Sequence, residues 1–246
     1  MYFFAWVTKN LISAGCYDMI INSFNNDGTG EKTVMRVRHN PKADIAVVES
    51  EYVIQDPASK KGHWKEIFGN ENPIRIEIGM GKGGFIMEMA SQNPDINYIG
   101  IERVNTILYK ALRKQEEKAL KNLYFVAFNA DEIETIFDKG EIDRIYLNFS
   151  DPWPKDRHAS RRLTSPKFLE RYDAFLKQDG IIEFKTDNRG LFDYSLEAAI
   201  EAGWKTRDVT YDLHNSIYAP GNIMTEYETK FSAMGTPINK TIIYRQ

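Results

Sequence analysis

Glycines at 79, 81, 83 and 84 directly follow Arg75-Ile76-Glu77-Ile78 and directly precede Phe85-Ile86-Met87-Glu88-Met89-Ala90. The alternation of apolar and charged residues reads as a short strand, and the apolar block reads as a helix. A strand, a glycine loop and a helix in that order form a turn that a ligand can approach closely. The start of the helix adds free N–H groups.

The spacing Gly79-x-Gly81-x-x-Gly84 fits a dinucleotide fingerprint, but many glycine-rich turns share it, including purely structural ones. Two carboxylates turn the reading away from a diphosphate. Glu77 sits on the strand just before the first glycine, where it would repel phosphate and suits a cationic amino group. Glu102 closes the next strand, Asn97-Tyr98-Ile99-Gly100-Ile101-Glu102, about 20 residues after the glycines, where it can accept both ribose hydroxyls. A ribose to clamp, an ammonium to pair and no phosphate describe S-adenosyl-L-methionine.

From residue 74 onward strands and helices alternate. Strands are predicted near 74–78, 97–102, 122–128, 143–149 and 180–185. Helices are predicted near 84–92, 104–119, 166–177 and 190–202, with a short one after Asp131, which reads as its N-cap. This is the pattern of a doubly wound, Rossmann-like, mainly parallel sheet in an α/β fold. Two late segments, Trp204–Leu213 and Thr225–Ala233, read as an antiparallel edge hairpin. The catalytic domain is therefore expected over 74–246. Residues 35–73 read as a basic N-terminal arm (Arg36, Arg38, Lys42) ending in a helix, with Trp64, Ile67 and Phe68 in the core. Residues 1–34 read as a separate leader or extension, with a disordered polar stretch over 23–32, and Met35 as the functional start.

Composition narrows the function classes. With 42% hydrophobic and 27% charged residues the chain has an ordinary globular composition. A net charge of −3 means that any nucleic-acid surface must be a local patch. The single cysteine, Cys16, excludes an internal disulfide framework and points to a reducing cytoplasm. No apolar run approaches the length of a membrane span, so no membrane partner is expected. The histidines at 39, 63, 158 and 214 lack metal-ligand spacing, and no metal is expected.

In doubly wound sheets ligands bind beyond the carboxyl ends of the strands. The strand ends here carry Glu77, Glu102, Asn129, then Ser150-Asp151-Pro152-Trp153-Pro154, then Lys185-Thr186-Asp187. All are polar residues directly after apolar runs. In Asp151-Pro152-Trp153-Pro154 two prolines stiffen the loop, and the tryptophan between them can stack on a flat base. The loop continues into a basic run, Lys155-Asp156-Arg157-His158-Ala159-Ser160-Arg161-Arg162. A rigid aromatic corner beside a basic loop suits a polyanionic substrate that contains bases. The same residues would also be at home in a solvated surface loop.

With these motifs in order, the chain resembles the bacterial tRNA (guanine-N7)-methyltransferases. The resemblance rests on Glu77-Ile78-Gly79-x-Gly81-x-Gly83, Gly100-Ile101-Glu102, the loop from Ser150 to Lys155, Arg157-His158 with Arg161-Arg162, Lys185-Thr186-Asp187 and Thr225-Glu226-Tyr227-Glu228. It covers essentially residues 35–246 and leaves out the leader. It implies a class I methyltransferase fold, S-adenosyl-L-methionine as methyl donor and a guanosine in the tRNA variable loop as substrate. By this resemblance Glu77, Gly79, Gly81, Glu102, Asn129 and Asp151 bind the donor. Lys155, Asp187 and Thr225, Glu226, Tyr227 and Glu228 hold the substrate, and Arg157, His158, Arg161 and Arg162 touch RNA. Asn129 departs from the family, where an aspartate is frequent. An amide still bonds adenine, and Asp131 stands close by as a substitute. Whether the chain acts as a monomer or a homodimer is left open.

Guanine N7 carries an in-plane lone pair and no proton, so its methylation requires no general base. Asp151 is the candidate catalytic group, and it would act by orientation and charge rather than by proton removal. Three rivals compete with this reading, the first two being a methyltransferase acting on an exocyclic base amine and an RNA-binding module without activity. An NAD oxidoreductase is a third, and Glu77 counts against it.

Overall fold

The computed structural model describes residues 38–245 together with the two-residue strands β1 (Asp18–Met19) and β2 (Met35–Arg36). The expected disordered stretch at 23–32 lies outside the described residues. The chain divides into two compact units, Met1–Pro41 and Lys42–Gln246. In the first, β1 and β2 pair antiparallel.

The second unit is built on a seven-stranded sheet. Its strands are β3 (Ile74–Ile78), β4 (Asn97–Glu102), β5 (Leu123–Ala127), β6 (Ile142–Asn148), β7 (Leu176–Thr186), β8 (Lys205–Thr210) and β9 (Asn239–Tyr244). Their order is β5-β4-β3-β6-β7-β9-β8. The first five are parallel, and β9 runs antiparallel to both β7 and β8. The order reverses between β3 and β6, which makes this the switch point where such sheets bind ligands.

Both faces of the sheet are covered, so its central strands are apolar almost throughout; every residue of β4 is buried. On one face Ile76, Ile78, Ile99, Ile101, Ile145 and Phe184 pack against α5 (Pro166–Asp173) and α6 (Arg189–Glu201). On the other, Tyr98, Phe125 and Tyr146 meet α3 (Gly84–Gln92) and α4 (Asn105–Lys118). In α4 the buried Leu108, Ala111 and Leu112 recur at helical spacing and form the apolar stripe that docks it, and the buried Gln115 extends it by donating to the Leu120 carbonyl. Helix α1 (Pro41–Glu49) adds Val47 to the same cluster. Val53 bridges to Phe125 of β5. In α2 (Trp64–Phe68), Trp64 is fully buried and donates its Nε1 to the Ile136 carbonyl at 2.7 Å. Ile67 and Phe68 pack beside it, partly buried.

Three sequence-based expectations are corrected. The helix predicted over 166–177 ends at Asp173, and β7 begins at Leu176. The apolar pair Phe175-Leu176 fits helical spacing, but the Phe175 carbonyl accepts from Glu141 and Ile142 and carries the chain into the sheet. The segment Thr225–Ala233 is not a strand. It forms α7 (Glu226–Ser232), opened by a capping box between Thr225 and Glu228. The edge pair exists, but β8 takes β9 as its partner. The N-cap near 131 is Asn129, whose Oδ1 accepts from the Asp131 amide at 3.2 Å and starts the 3-10 turn Ala130–Thr135.

Candidate active site

Parallel pairing brings the carboxyl ends of β3 to β7 to one edge, and with them Glu77, Glu102, Asn129, Asp151 and Asp187. The glycine loop forms the floor. Gly79, Gly81 and Gly83 all take left-handed φ, at 75°, 59° and 71°, which is open to glycine at little cost. The loop is tied to the neighbouring strand. The Gly79 and Met80 amides donate to the Ile101 carbonyl at 2.9 and 3.1 Å, and the Gly81 amide donates to Glu102 Oε2 at 3.2 Å. Gly100 lies beneath, where a Cβ would stand 2.2 Å from Met80 Sδ.

Glu77 is buried beside this floor, 2% exposed. Asn148, at the end of β6, donates its Nδ2 to Glu77 Oε1 at 2.8 Å. Among the described residues, neither Glu77 Oε2 nor Asn148 Oδ1, both buried acceptors, has a hydrogen-bond partner. Burial pushes the Glu77 carboxyl up to about 8, against the Asn148 bond and the charge of Lys185, and Glu102 adds to the rise. A buried carboxylate with an unmatched oxygen, next to an amide oxygen in the same condition, is chemically suited to a cationic hydrogen-bond donor.

Glu102 is also buried, and its carboxyl is raised by desolvation. The amides of Gly81 and Val104 hold it in place. Asp151 is half-buried, and its carboxyl is raised by burial against the charge of Arg103. Asn129 is exposed, and its Oδ1 serves the cap described above.

The other half of the site comes from the end of β7 and from α7. Asp187 accepts from the Tyr227 hydroxyl at 3.0 Å, and the phenol pKa is raised by burial and by this carboxylate. Tyr227 stacks on Phe231 and leans on Phe149, whose backbone leaves β6. The Lys185 ammonium is fully buried and donates to Glu228 Oε2 at 2.7 Å, to the Ile223 carbonyl at 2.9 Å and to Asn222 Oδ1 at 3.1 Å. Glu228 also accepts from Asn222 Nδ2, and His214 Nε2 stands 3.2 Å from its Oε1. Glu226 pairs with Lys82 of the glycine loop and with Lys114 of α4, and Lys114 first, then Lys82, hold its carboxyl below the usual range. Within Thr225–Glu228, then, Tyr227 contacts Asp187, Thr225 caps α7, and Glu226 and Glu228 hold α7 against the glycine loop, α4 and β7.

The basic loop is split. Lys155, Arg157 and Arg161 are exposed. Arg161 lies over the Trp153 ring at 5.0 Å, and His158 meets the same ring edge-on at 5.7 Å. Desolvation, then Arg161, Arg157 and Lys155, lower the His158 pKa. Arg162, by contrast, is 9% exposed and sits beneath the loop. Asn148 was missed in the sequence because it stands inside an apparent strand. The one signal was an amide in the apolar run Tyr146-Leu147-Asn148-Phe149.

Among the described residues, no cluster of three His, Cys, Asp or Glu residues is suited to hold a metal, and no helix is long and apolar enough to cross a membrane. A cavity of about 650 Å³ opens between Gln178–Ile181, Arg207, Tyr244 and Arg245. It lies toward the opposite end of β7 and includes none of the site residues.

The reversed strand order, the antiparallel β9, the glycine floor and the carboxylates at the strand ends define a class I methyltransferase. Residues 71–241 match the family model described as a putative methyltransferase. The chain is 58% identical over 212 residues to the tRNA (guanine-N(7)-)-methyltransferase of Lachnoclostridium phytofermentans, covering 86% of this chain and 99% of that one. It is 52% identical over 205 residues to the enzyme of that name from Bacillus subtilis, covering 83% and 96%. The chain belongs to the tRNA (guanine-N(7)-)-methyltransferase family. Among solved structures, an antibiotic-related methyltransferase superimposes with a TM-score of 0.56 at 20% identity, over 74% of this chain and 91% of that one. The 16S rRNA methyltransferase KamB gives 0.55 at 13% identity over the same shares. At these identities the two share the fold.

Proposed function

We propose that this chain is a cytoplasmic, RNA-binding enzyme that transfers a methyl group from S-adenosyl-L-methionine to N7 of a guanosine in the variable loop of tRNA. The observation that carries the donor half is the pair of buried, unmatched acceptors, Glu77 Oε2 and Asn148 Oδ1, beside the glycine floor. The substrate half is supported by relatives of 52–58% identity that carry the tRNA (guanine-N(7)-) name.

The donor supplies an electrophilic methyl group on a sulfonium. Glu77 and Asn148 would receive its ammonium, Glu102 its ribose hydroxyls, and Asn129 Nδ2 its adenine, with Gly79 and Gly81 leaving room for the chain between. N7 has no proton to lose, so the protein's task is to hold the base in line and to meet the positive charge that develops on it. Asp151 is suited to that charge, being half-buried and raised by burial. Asp187, fixed by the Tyr227 hydroxyl, is suited to accept from the N1–H and N2 edge of guanine. Lys155, Arg157, His158 and Arg161 would meet the phosphates and flanking bases.

Incubation with labelled S-adenosyl-L-methionine and unmodified tRNA, followed by nucleoside analysis, tests the proposal. Labelled 7-methylguanosine that disappears when the variable-loop guanosine is replaced is the expected result. Label on an exocyclic amine, or no label with donor binding intact, would overturn it. The exposed arginines give a further expectation. Arg157→Ala with Arg161→Ala should flatten the log–log salt dependence of tRNA binding by about one to two, because each phosphate contact adds about 0.7–0.9 to the slope. An unchanged slope would remove these two residues from the RNA interface.

A further inference from the structure

Arg162 belongs to a run of cations but does not behave like its neighbours. Its Nε donates to the Pro152 carbonyl and its Nη2 to the Trp153 carbonyl, both at 3.1 Å. Its guanidinium lies 4.1 Å above the Tyr194 ring of α6. The side chain is 9% exposed, whereas Arg157 and Arg161 face solvent. A planar fork that binds two successive carbonyls and stacks on a ring is something arginine provides and lysine does not.

The segment it grips is under strain. Phe149 and Trp153, both bulky, take left-handed φ at 53° and 41°. Such conformations persist where surrounding contacts impose them. At one end the Phe149 amide donates to the Lys185 carbonyl at 2.9 Å, and its ring leans on Tyr227. At the other end the only described side chain that bonds the Pro152 and Trp153 carbonyls is Arg162. Asp151 lies between these two anchors, and no described hydrogen bond holds its carboxylate.

We infer that Arg162 is a positioning residue for methyl transfer, clamping Asp151-Pro152-Trp153-Pro154 from below, and that it makes no phosphate contact of its own. The inference rests on the proposed function for its catalytic consequence, but the clamp can be tested without it. In Arg162→Gln, amide hydrogen exchange should accelerate at least tenfold over 150–160 and stay unchanged in β3 to β5. In steady-state methyl transfer kcat should fall tenfold or more, while KM for tRNA stays within about twofold and the salt slope of tRNA binding is unaltered. Arg162→Lys keeps the charge and lacks the fork, so it should resemble Arg162→Gln. Tyr194→Leu removes only the stack and should move exchange and kcat in the same direction by less, which preserves the test if Arg162→Gln does not fold.

Three results would overturn the inference: loop exchange unchanged in a folded variant, full kcat in Arg162→Lys, or a salt slope reduced by one phosphate contact with kcat retained. A parent chain that methylates nothing would count against the proposed function, and loop exchange would still decide the clamp.

Discussion

Glu77→Gln is expected to make the free chain more stable and the methyl donor bind more weakly. The folded-state pKa of Glu77 is raised by burial to about 8 from an ordinary 4.5, so the native state holds its proton more tightly than the unfolded chain. A raised acid pKa costs stability as pH rises: nothing below about 4.5, and progressively more up to about 8. The full shift corresponds to roughly 3–5 kcal/mol. The thermal midpoint of E77Q should therefore exceed that of the parent at pH 8, and the gap should close as pH falls toward 5. Donor binding runs the other way, because an ammonium needs the ionised carboxylate. Parent affinity should rise between pH 6 and 7.5, with proton release visible when calorimetry is repeated in buffers of different ionisation enthalpy. E77Q should lose that dependence along with about 10- to 100-fold in affinity, the worth of one charge-assisted bond. A variant that binds the donor normally, with the parent's pH profile, would remove Glu77 from the donor site.

The second large effect concerns Lys185. Its ammonium and the Glu228 carboxylate are both out of solvent and 2.7 Å apart. Lys185→Met strands Glu228 as a buried charge, and removing one partner of such a pair costs about 3–5 kcal/mol. Adding Glu228→Gln removes the stranded charge and keeps a side chain able to cap α7, so the double variant should recover at least half of the loss. Urea unfolding of the parent, both single variants and the double variant measures this directly. A loss under about 1 kcal/mol in Lys185→Met would mean that water reaches the pair and screens it.

Much of the architecture was legible because the signals were local. Ile74–Ile78, Gly84–Gln92 and Asn97–Glu102 lie where the alternation, the glycines and the apolar blocks put them. The rim was legible too, since a polar residue directly after an apolar run marks a strand end in a parallel sheet. What escaped depends on distant partners. The edge strand Lys205–Thr210 pairs with Asn239–Tyr244 across an intervening helix, and no local pattern announces that pairing. The helix at 226–232 was legible in principle, because Thr225 followed three residues later by Glu228 is a capping box. The β-branched and aromatic residues around it outweighed that signal. Within the site, charge alone does not tell a cation that faces solvent from one that turns inward. Arg161 and Arg162 are adjacent and identical, and what separates them is tertiary: the carbonyls of Pro152 and Trp153 and the ring of Tyr194 surround Arg162, while Arg161 lies over Trp153.

Three amides of the glycine floor, those of Gly79, Met80 and Gly81, find their acceptors on β4, at Ile101 and Glu102. The floor therefore cannot take its shape before β3 and β4 have found each other in register. During refolding, competence to bind the donor should appear together with β3–β4 pairing and not earlier with collapse of the chain. A fluorescent donor analogue added in a stopped-flow refolding experiment would thus serve as a clock for the joining of two particular strands.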